Sequence, residues 1–462
     1  MYNKKILLFF IIVSFLISII LAFQIVDTLD KYESDGIDHH IVKGDISDIW
    51  ARGAQFKKDI ISGKNFLVSG SEIYRSYLPP RLIGFFSIIF DYDLLSIENG
   101  IEKINLGFKK FYYLLLQSII FYSVLVYFYN NFSKLENNSK ITFYTLIFLS
   151  FCPNIFLYNS AFHTESIFFS LQLLLMTLLI SPSTTLKYNI LIGLILSLLF
   201  MQKTVGIFYI FVVCLYLILC FKRKSIKSIF IIFITYVSIL TIIGFSNFKR
   251  VGVFYFMPTQ GNEAVYHYLA HDILVKGKNM TGEKAGQKLN KDLKNWKLEN
   301  QIENENLEKS RIQIMKFKKK YTLHLIQENP IVTLKIISWK ALQTGILNPV
   351  YIFHYHFYEQ DIYKKPPYYL EKDYLNFWTP IKISYSLLIY FIIFLGFINS
   401  IKKLDLKYNL FLFLSATYMF AMLSWVGNSR YFSTSLIYLS IYFGYGISFL
   451  LDFTSSKTSR TN

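Results

Sequence analysis

The sequence predicts an all-α polytopic membrane protein with roughly ten transmembrane helices, additional interfacial helices and a mainly helical extracytoplasmic domain. Three observations predict it. Of 462 residues, 53% are hydrophobic and only 17% are charged, against about 25% charged in a soluble domain. Aromatic residues make up 18%, with 45 Phe and 35 Tyr. Apolar runs also recur at or near spanning length, close to 6–26, 110–129, 141–160, 166–181, 188–202, 204–221, 228–246, 382–400, 408–425 and 432–451. A helix needs about 20 residues to cross the hydrocarbon core.

The first run follows Lys4-Lys5 and continues from Ile6 to Val26 without a small-x-small cleavage site, so it reads as a retained span. Orientation comes from the short loops. Lys4, Lys5, Lys134, Lys140, Lys187, Lys222-Arg223-Lys224 with Lys227, Lys402-Lys403 with Lys407, and Lys457 with Arg460 all fall on one side, and the positive-inside rule makes that side the cytoplasm. Both termini are then cytoplasmic. The chain divides into a transmembrane module, 1–248, carrying an extracytoplasmic loop at 27–109; an extracytoplasmic domain, 249–381; and C-terminal transmembrane helices with a cytoplasmic tail, 382–462.

Within the first loop, Leu78–Phe90 is apolar but too short to span and reads as a helix lying at the interface. In the second, 276–320 has the Lys/Glu/Asn/Leu mix of solvated helix. The stretch 331–345 is apolar-periodic, and 350–379 is rich in the Tyr and Trp that favour headgroup level. The net charge of +18 is explained by cytoplasmic loops and anionic lipid. No basic-aromatic nucleic-acid motif accompanies it, so no nucleic-acid partner is expected. Cys152, Cys214 and Cys220 lie in apolar stretches without ligand spacing, which argues against a disulfide framework or a zinc site. The Lys/Asn/Ile-rich composition fits an AT-rich bacterial genome and a bacterial cytoplasmic membrane.

Candidates for chemistry gather at the outward ends of the spans. Asp45 and Asp48, in Gly44-Asp45-Ile46-Ser47-Asp48-Ile49-Trp50, follow the first span. A carboxylate there can serve as general base for an incoming hydroxyl, or the two are solvated loop acids or a helix N-cap. Arg81 follows Pro79-Pro80, which forces an extended approach to the next helix. His163 and Glu165 stand between two apolar runs. Ionisable groups at that depth mark a wet cavity, although Glu165 also suits the positive end of the following helix. Lys203 either snorkels or meets a lipid phosphate. Arg430, next to Tyr431 before the last span, binds phosphate or snorkels. No histidine cluster points to a metal.

In this order the motifs resemble the GT-C glycosyltransferases that use polyprenyl-phosphate sugars, among them the protein O-mannosyltransferases and the lipid A aminoarabinose transferases. In that family an acid follows the first span, then an aromatic residue, Ala, Gly and a Pro-Pro interfacial helix. Here Asp45/Asp48, Trp50, Ala54, Gly63 and Pro79-Pro80 occupy that sequence. The turn Ser160 to Glu165, Lys203, and the pair Arg430-Tyr431 match later motifs. Asn247, Gly252, Phe254 and Gly261-Asn262 resemble the start of the family's outer domain, and Glu328-Asn329-Pro330 with Leu334 and Lys335 resemble its amphipathic helix. The family often shows an adjacent Asp-Glu pair where this chain has two aspartates three apart.

The resemblance implies an inverting hexosyl- or pentosyltransferase acting at the outer face. Its donor would be a polyprenyl-phosphate sugar, and its acceptor a hydroxyl on a lipid, glycan or protein. Asp48, or Asp45, would be the base; Lys203, Arg430 and Arg81 would stabilise the departing lipid phosphate; Glu165 and His163 would orient the sugar. No metal and no cofactor besides the donor lipid is implied. An O-antigen polymerase or ligase would instead place key arginines in the second outer segment, where Arg250 and Arg311 stand. A transporter or flippase of envelope lipids would show inverted repeats and midplane charges, which the sequence lacks. A non-catalytic scaffold would leave the outer acids and Lys203 without a shared task.

Overall fold

In hydrocarbon every backbone N–H and C=O needs a partner within the chain, and helices supply it. The computed structural model describes residues 4–34, 45–64, 76–93, 95–98, 101–104, 110–136, 138–160, 164–258, 260–302, 308–346, 372–423 and 429–458. Apart from one antiparallel hairpin, β1 (Leu95–Glu98) with β2 (Ile101–Ile104), the regular structure among these residues is helical. The chain is a multi-pass helical membrane protein.

In chain order the first helices are α1 (Lys4–Ser34), α2 (Asp45–Ile61), α3 (Leu78–Ile89), α4 (Lys110–Leu135), α5 (Ser139–Phe151), α6 (Pro153–Asn159), α7 (Glu165–Leu178) and α8 (Leu186–Gln202). A 3₁₀ turn, Thr204–Phe208, leads into α9 (Tyr209–Phe221). A second, Lys222–Lys224, leads into α10 (Ser225–Val251).

The expectation of ten spans is corrected. Among the described residues five segments are long and apolar enough to cross a membrane: Lys5–Gln24, Phe111–Leu135, Thr204–Val251, Ile383–Lys403 and Phe432–Thr454. A sixth is added if α5 and α6, bent by 53°, count as one. The physical reason is that apolar run length is not helix length. Runs 166–181 and 188–202 fold as α7 and α8, of 14 and 17 residues, about 21 and 26 Å long at 1.5 Å per residue. Runs 204–221 and 228–246 remain two helices, α9 and α10, within the apolar segment of 48 residues that is counted once above. That segment doubles back at Lys222 (φ 50°), so that the Tyr236 hydroxyl reaches the Ile207 carbonyl at 2.9 Å. Pro153 bends α5 into α6 because Cys152, ahead of it, takes the extended conformation (φ −61°, ψ 118°) that a following proline requires.

Three helices close the bundle: α16 (Lys372–Lys403), α17 (Leu406–Leu423) and α18 (Ser429–Thr458), numbered after the unit α11–α15 described next. Lys140 pairs with Asp452 at 2.8 Å, and Asn399 donates to the Tyr445 carbonyl at 3.3 Å. These contacts gather the ends bearing Lys140, Lys402 and Lys403 into one lysine-rich end. Lipid offers little hydrophobic drive for helix association, so packing and interhelical hydrogen bonds must hold the bundle. The tyrosines serve that need. Tyr209 donates to Ser415 at 2.8 Å, Tyr216 to the Leu179 carbonyl at 2.7 Å and Tyr442 to Asn409 Oδ1 at 2.7 Å. Each such bond contributes on the order of 0.6–2 kcal/mol.

Beyond α10 the chain forms a helical unit with its own core. A continuous rod comprises α11 (Gln260–Ala264), a π-helical turn (Val265–Ala270) and α12 (His271–Gly277); α13 (Gly282–Glu299), α14 (Glu308–Glu328) and α15 (Pro330–Gly345) follow. Tyr266, Ile273, Leu289, Leu325 and Ile336 meet in its interior. At the base, Arg250, in the last turn of α10, pairs with Glu308, and the Tyr390 hydroxyl of α16 bonds the Gly345 carbonyl. At the far turn Lys278 pairs with Glu328 at 3.1 Å. The unit therefore rises, returns, rises and returns. The solvated helices expected over 276–320 are α13 and α14, and most of the aromatic piece expected at 350–379 lies outside the described residues.

Lys318, buried in this unit, reaches Glu263 at 2.6 Å and His267 Nε2 at 3.4 Å. The His267 hydrogen bond and then Lys318 hold the Glu263 carboxyl at about 2, against an ordinary 4.5. Because the folded value is the depressed one, its stabilisation is complete above pH 4.5 and is lost as pH falls towards 2. Hydrogen exchange in α11 and α14 is expected to accelerate across that window, and Glu263→Gln should shrink the acid-dependent part.

Candidate functional site

The end of the bundle opposite the lysine-rich one carries most of the residues singled out in the sequence. It begins with the packing of α2 on α3. Trp50 is 1% exposed and meets Tyr113 of α4 edge-on at 6.0 Å, and Tyr113 meets Phe86 of α3 at 5.7 Å. The two helices cross at Gly53 and Gly84. A Cβ at Gly53 would stand 3.2 Å from the Pro80 carbonyl oxygen, and one at Gly84 would run into the Gly53 carbonyl and Phe56. Only glycine allows this approach, and it fixes the first turn of α2 relative to Arg81. Asp45 and Asp48 occupy that turn, three apart and so on one helical face; their side chains lie outside the described residues.

Pro79 and Pro80 open α3, where their missing N–H groups cost nothing. This buries Arg81, at 4% exposure. Its guanidinium donates to the Tyr77 carbonyl at 3.0 Å and stacks over the Tyr77 ring with 3.2 Å to the centroid. Burial, partly offset by Tyr77, brings its pKa down to about 10, so it stays a cation at neutral pH. The field of Arg250 acts on the same group. Arg250 pairs with Glu308 and donates to Asn247 Oδ1 at 3.1 Å and to the Tyr255 hydroxyl at 2.9 Å. Its Nε is buried without a hydrogen-bond partner among the described residues. Two guanidiniums and two phenols thus share one locus.

The second charged locus is an ion pair. Glu165, the first residue of α7, is fully buried, and Lys203 Nζ reaches its Oε1 at 2.7 Å. Lys203 is held by the break after α8: it is extended (φ −147°, ψ 132°), and Gly206 then packs on the end of α8, where a Cβ would stand 2.7 Å from the Phe200 nitrogen. Gln202 Nε2 donates to the Thr164 carbonyl at 2.8 Å. Thr164, the residue ahead of α7, makes no side-chain cap bond. Both amide atoms of Asn159, the Ser166 hydroxyl and the Gln202 carbonyl oxygen are buried without hydrogen-bond partners among the described residues. Unmet polar atoms of this kind are rare in folded proteins, and here Ser166 and Gln202 stand next in sequence to the two members of the ion pair.

The two loci adjoin. Phe256, next to Tyr255, meets Phe200 of α8 at 6.2 Å, and α3 packs on α8. The first turn of α18 stands at the same end, because Gln172 of α7 donates to the Thr434 carbonyl at 3.1 Å. Arg430 lies one turn before Thr434 in that helix; its side chain and that of Tyr431 lie outside the described residues, as does His163. The structure therefore joins Glu165 to Lys203 and sets the helix that carries Arg81 against the one that ends just before Lys203. Sequence reasoning missed that Arg250 and Tyr255 lie close enough to Arg81 for their fields to act on it. The available signal was an arginine at the end of a span on the side that the positive-inside rule leaves poor in cations. Among the described residues no group of three or more His, Cys, Asp and Glu could hold a metal ion.

No family model and no curated protein matches this chain. Solved structures are similar to it, two of them as follows. The archaeal oligosaccharyltransferase AglB from Archaeoglobus fulgidus, in complex with an inhibitory peptide and a dolichol-phosphate, has a TM-score of 0.47 and 10% identity over 99% of this chain and 52% of that one. The Archaeoglobus fulgidus oligosaccharyltransferase in the apo form has 0.49 and 12% over 100% of this chain and 52% of that one. The chain thus spans about half the length of either.

Proposed function

We propose that this protein is a membrane glycosyltransferase that moves a sugar from a polyprenyl-phosphate donor to a hydroxyl acceptor at the outer face of the membrane. The observation that carries this reading is the Glu165–Lys203 pair, its carboxylate fully buried and its ammonium mostly so, set among unmet polar atoms at the end of the spans that also holds the Arg81–Arg250 locus. Buried cations at a span end suit a lipid phosphate, and buried polar groups lacking partners suit a polyhydroxylated ligand.

In this reading Asp48, or Asp45, takes the proton of the acceptor hydroxyl, whose oxygen attacks the anomeric carbon. The bond to the phosphate oxygen breaks with inversion through an oxocarbenium-like transition state. Arg81, Arg250 and Arg430 stabilise the departing phosphate. Lys203 acts chiefly on Glu165, which with His163 and Asn159 orients the sugar. The donor lipid is the only cofactor proposed. Tyr431 would pack beside the phosphate, and the membrane would be a bacterial cytoplasmic membrane with both termini inside.

The reading is tested by reconstituting the purified protein in liposomes with a radiolabelled polyprenyl-phosphate sugar and following transfer to added acceptor or, without acceptor, hydrolysis of the donor. Arg250→Lys keeps the charge but loses the planar fork, and Arg-to-Lys is not conservative at such a site. It is expected to lower transfer at limiting donor by about 5- to 150-fold, the equivalent of 1–3 kcal/mol, with less effect at saturating donor. An O-antigen polymerase or ligase would also use Arg250, which gives that alternative a specific foothold. It predicts that Arg250→Ala abolishes activity while replacement of Asp45 and Asp48 is tolerated.

A further inference from the structure

The four-helix unit carries a cationic face that the proposed transfer chemistry does not use. Lys284, Lys291 and Lys294 on α13 and Lys316, Lys319 and Lys320 on α14 are all exposed. None of the six forms an ion pair among the described residues. The acids of the same helices are largely committed elsewhere. Asp292 takes Lys288 and the Tyr321 hydroxyl, Glu308 takes Arg250, and Glu328 takes Lys278 and His324. Glu283 and Glu299 are left exposed against the six lysines.

The two helices present Lys284, Lys291, Lys316 and Lys320 on a shared side, with Lys294 and Lys319 at its outer margins. Trp296 stacks on Phe317 at 4.9 Å and Tyr321 bonds Asp292 at 2.7 Å, an antiparallel register that sets Lys294 level with Lys319. On α13 the buried row is Ala285, Leu289 and Leu293; on α14 it is Ile314, Lys318, Thr322 and Leu325. At 100° per residue Lys284, Lys291 and Lys294 lie opposite the buried row of α13, and Lys316 and Lys320 lie opposite that of α14, while Lys319 lies on the flank that also carries the buried Ile312 and Met315. From Lys284 to the level of Lys316 the face is about 20 Å long at 1.5 Å per residue.

Its position decides between occupants. The unit meets the bundle through Glu308, at the start of α14, and through α15, which packs on α18. Measured along α14 from Glu308, Lys316 is about 12 Å away and Lys320 about 18 Å, and the level of Lys284 is about 30 Å away. The Debye length at physiological salt is about 8 Å, so headgroups at the base would be largely screened from most of this face.

We propose that this face docks an anionic polymer, a glycan or glycan-like chain bearing phosphate or carboxylate groups, and that this polymer is the acceptor presented to the site at the base of the unit. The proposal rests on the glycosyl-transfer reading, since it names that reaction's acceptor class. The test uses the full chain in nanodiscs of neutral lipid, with fluorescent inorganic polyphosphate as the polyanion and neutral dextran as control. Polyphosphate should bind and dextran should not. Affinity should fall on the order of 10²-fold between 50 and 200 mM salt, as about four charge contacts require. Lys284→Gln/Lys291→Gln/Lys294→Gln and Lys316→Gln/Lys319→Gln/Lys320→Gln should each weaken binding at least about tenfold and flatten the salt dependence, whereas the matching Arg triples retain it.

Donor hydrolysis without acceptor should be unchanged in every variant. Equal polyphosphate affinity in wild type and both Gln triples would overturn the proposal. So would a face already filled by lipid: binding that disappears when phosphatidylglycerol is added to the nanodiscs, irrespective of the lysines. Lysine-dependent polyphosphate binding in a protein that neither hydrolyses nor transfers from the donor would support the surface and count against the glycosyl-transfer reading alone.

Discussion

Replacing Asp45 and Asp48 together by Asn is expected to reduce sugar transfer by about 10²–10⁴-fold, the usual contribution of a positioned general base, while the protein still accumulates in the membrane. The substitution keeps size and removes only charge and basicity, and the packing of α2 on α3 depends on Gly53, Gly84 and Trp50 rather than on these acids. Tested singly, Asp48→Asn should account for most of the loss. The decisive comparison is transfer against donor binding: a missing base slows the chemical step and leaves the affinity for the donor lipid nearly unchanged. Wild-type transfer by the double variant would rule out these residues as the base.

The second large effect is expected at the buried ion pair. Lys203→Met leaves the Glu165 carboxylate, at 0% exposure and 2.7 Å from the lost ammonium, without its cation. Breaking a buried pair in this way costs about 3–5 kcal/mol. Thermal unfolding in detergent should show a clear drop in midpoint. Lys203→Met combined with Glu165→Gln removes both charges, and a buried pair replaced as a whole is close to neutral, so most of the stability should return. Activity should not return with it, because the proposed role of Glu165 in orienting the sugar is lost with its carboxylate. A double variant that regained both would reduce the pair to a structural tie between α7 and the end of α8.

Much of this architecture could be read from residues alone. Pro79-Pro80 announced a short helix at the right place, and α3 begins there. Glu165 and Lys203 stood out as ionisable groups at span ends. Their pairing did not, because they are 38 residues apart and only the packing of α7 against α8 brings them together. Arg250 was visible as an arginine after a long apolar run, but its link to Arg81 depends on where the segment from Phe254 to Phe256 lies against α8.

The span count failed for a reason specific to this chain. Pro153 breaks the run 141–160 without breaking its hydropathy, and α7 and α8 fold shorter than a span within theirs, which the apolar runs alone do not register. The rising and returning helices of the unit after α10 were legible only as solvated helix, since their order is set by contacts such as Arg250 with Glu308 and Lys278 with Glu328. The β1–β2 hairpin left no signal that alternation in so short a stretch could carry.

The central claim is that ionisable groups from distant parts of the chain meet around one lipid phosphate at one end of the bundle. A structure of the protein bound to a non-transferable polyprenyl-phosphate sugar analogue tests it most directly. The phosphate is expected between Arg81 and Arg250, at about 2.7–2.9 Å from a guanidinium nitrogen, with the sugar against Glu165 and Asn159 and an aspartate of the first turn of α2 facing the anomeric carbon. A phosphate bound elsewhere, or Asp45 and Asp48 both turned away from the sugar, would contradict it.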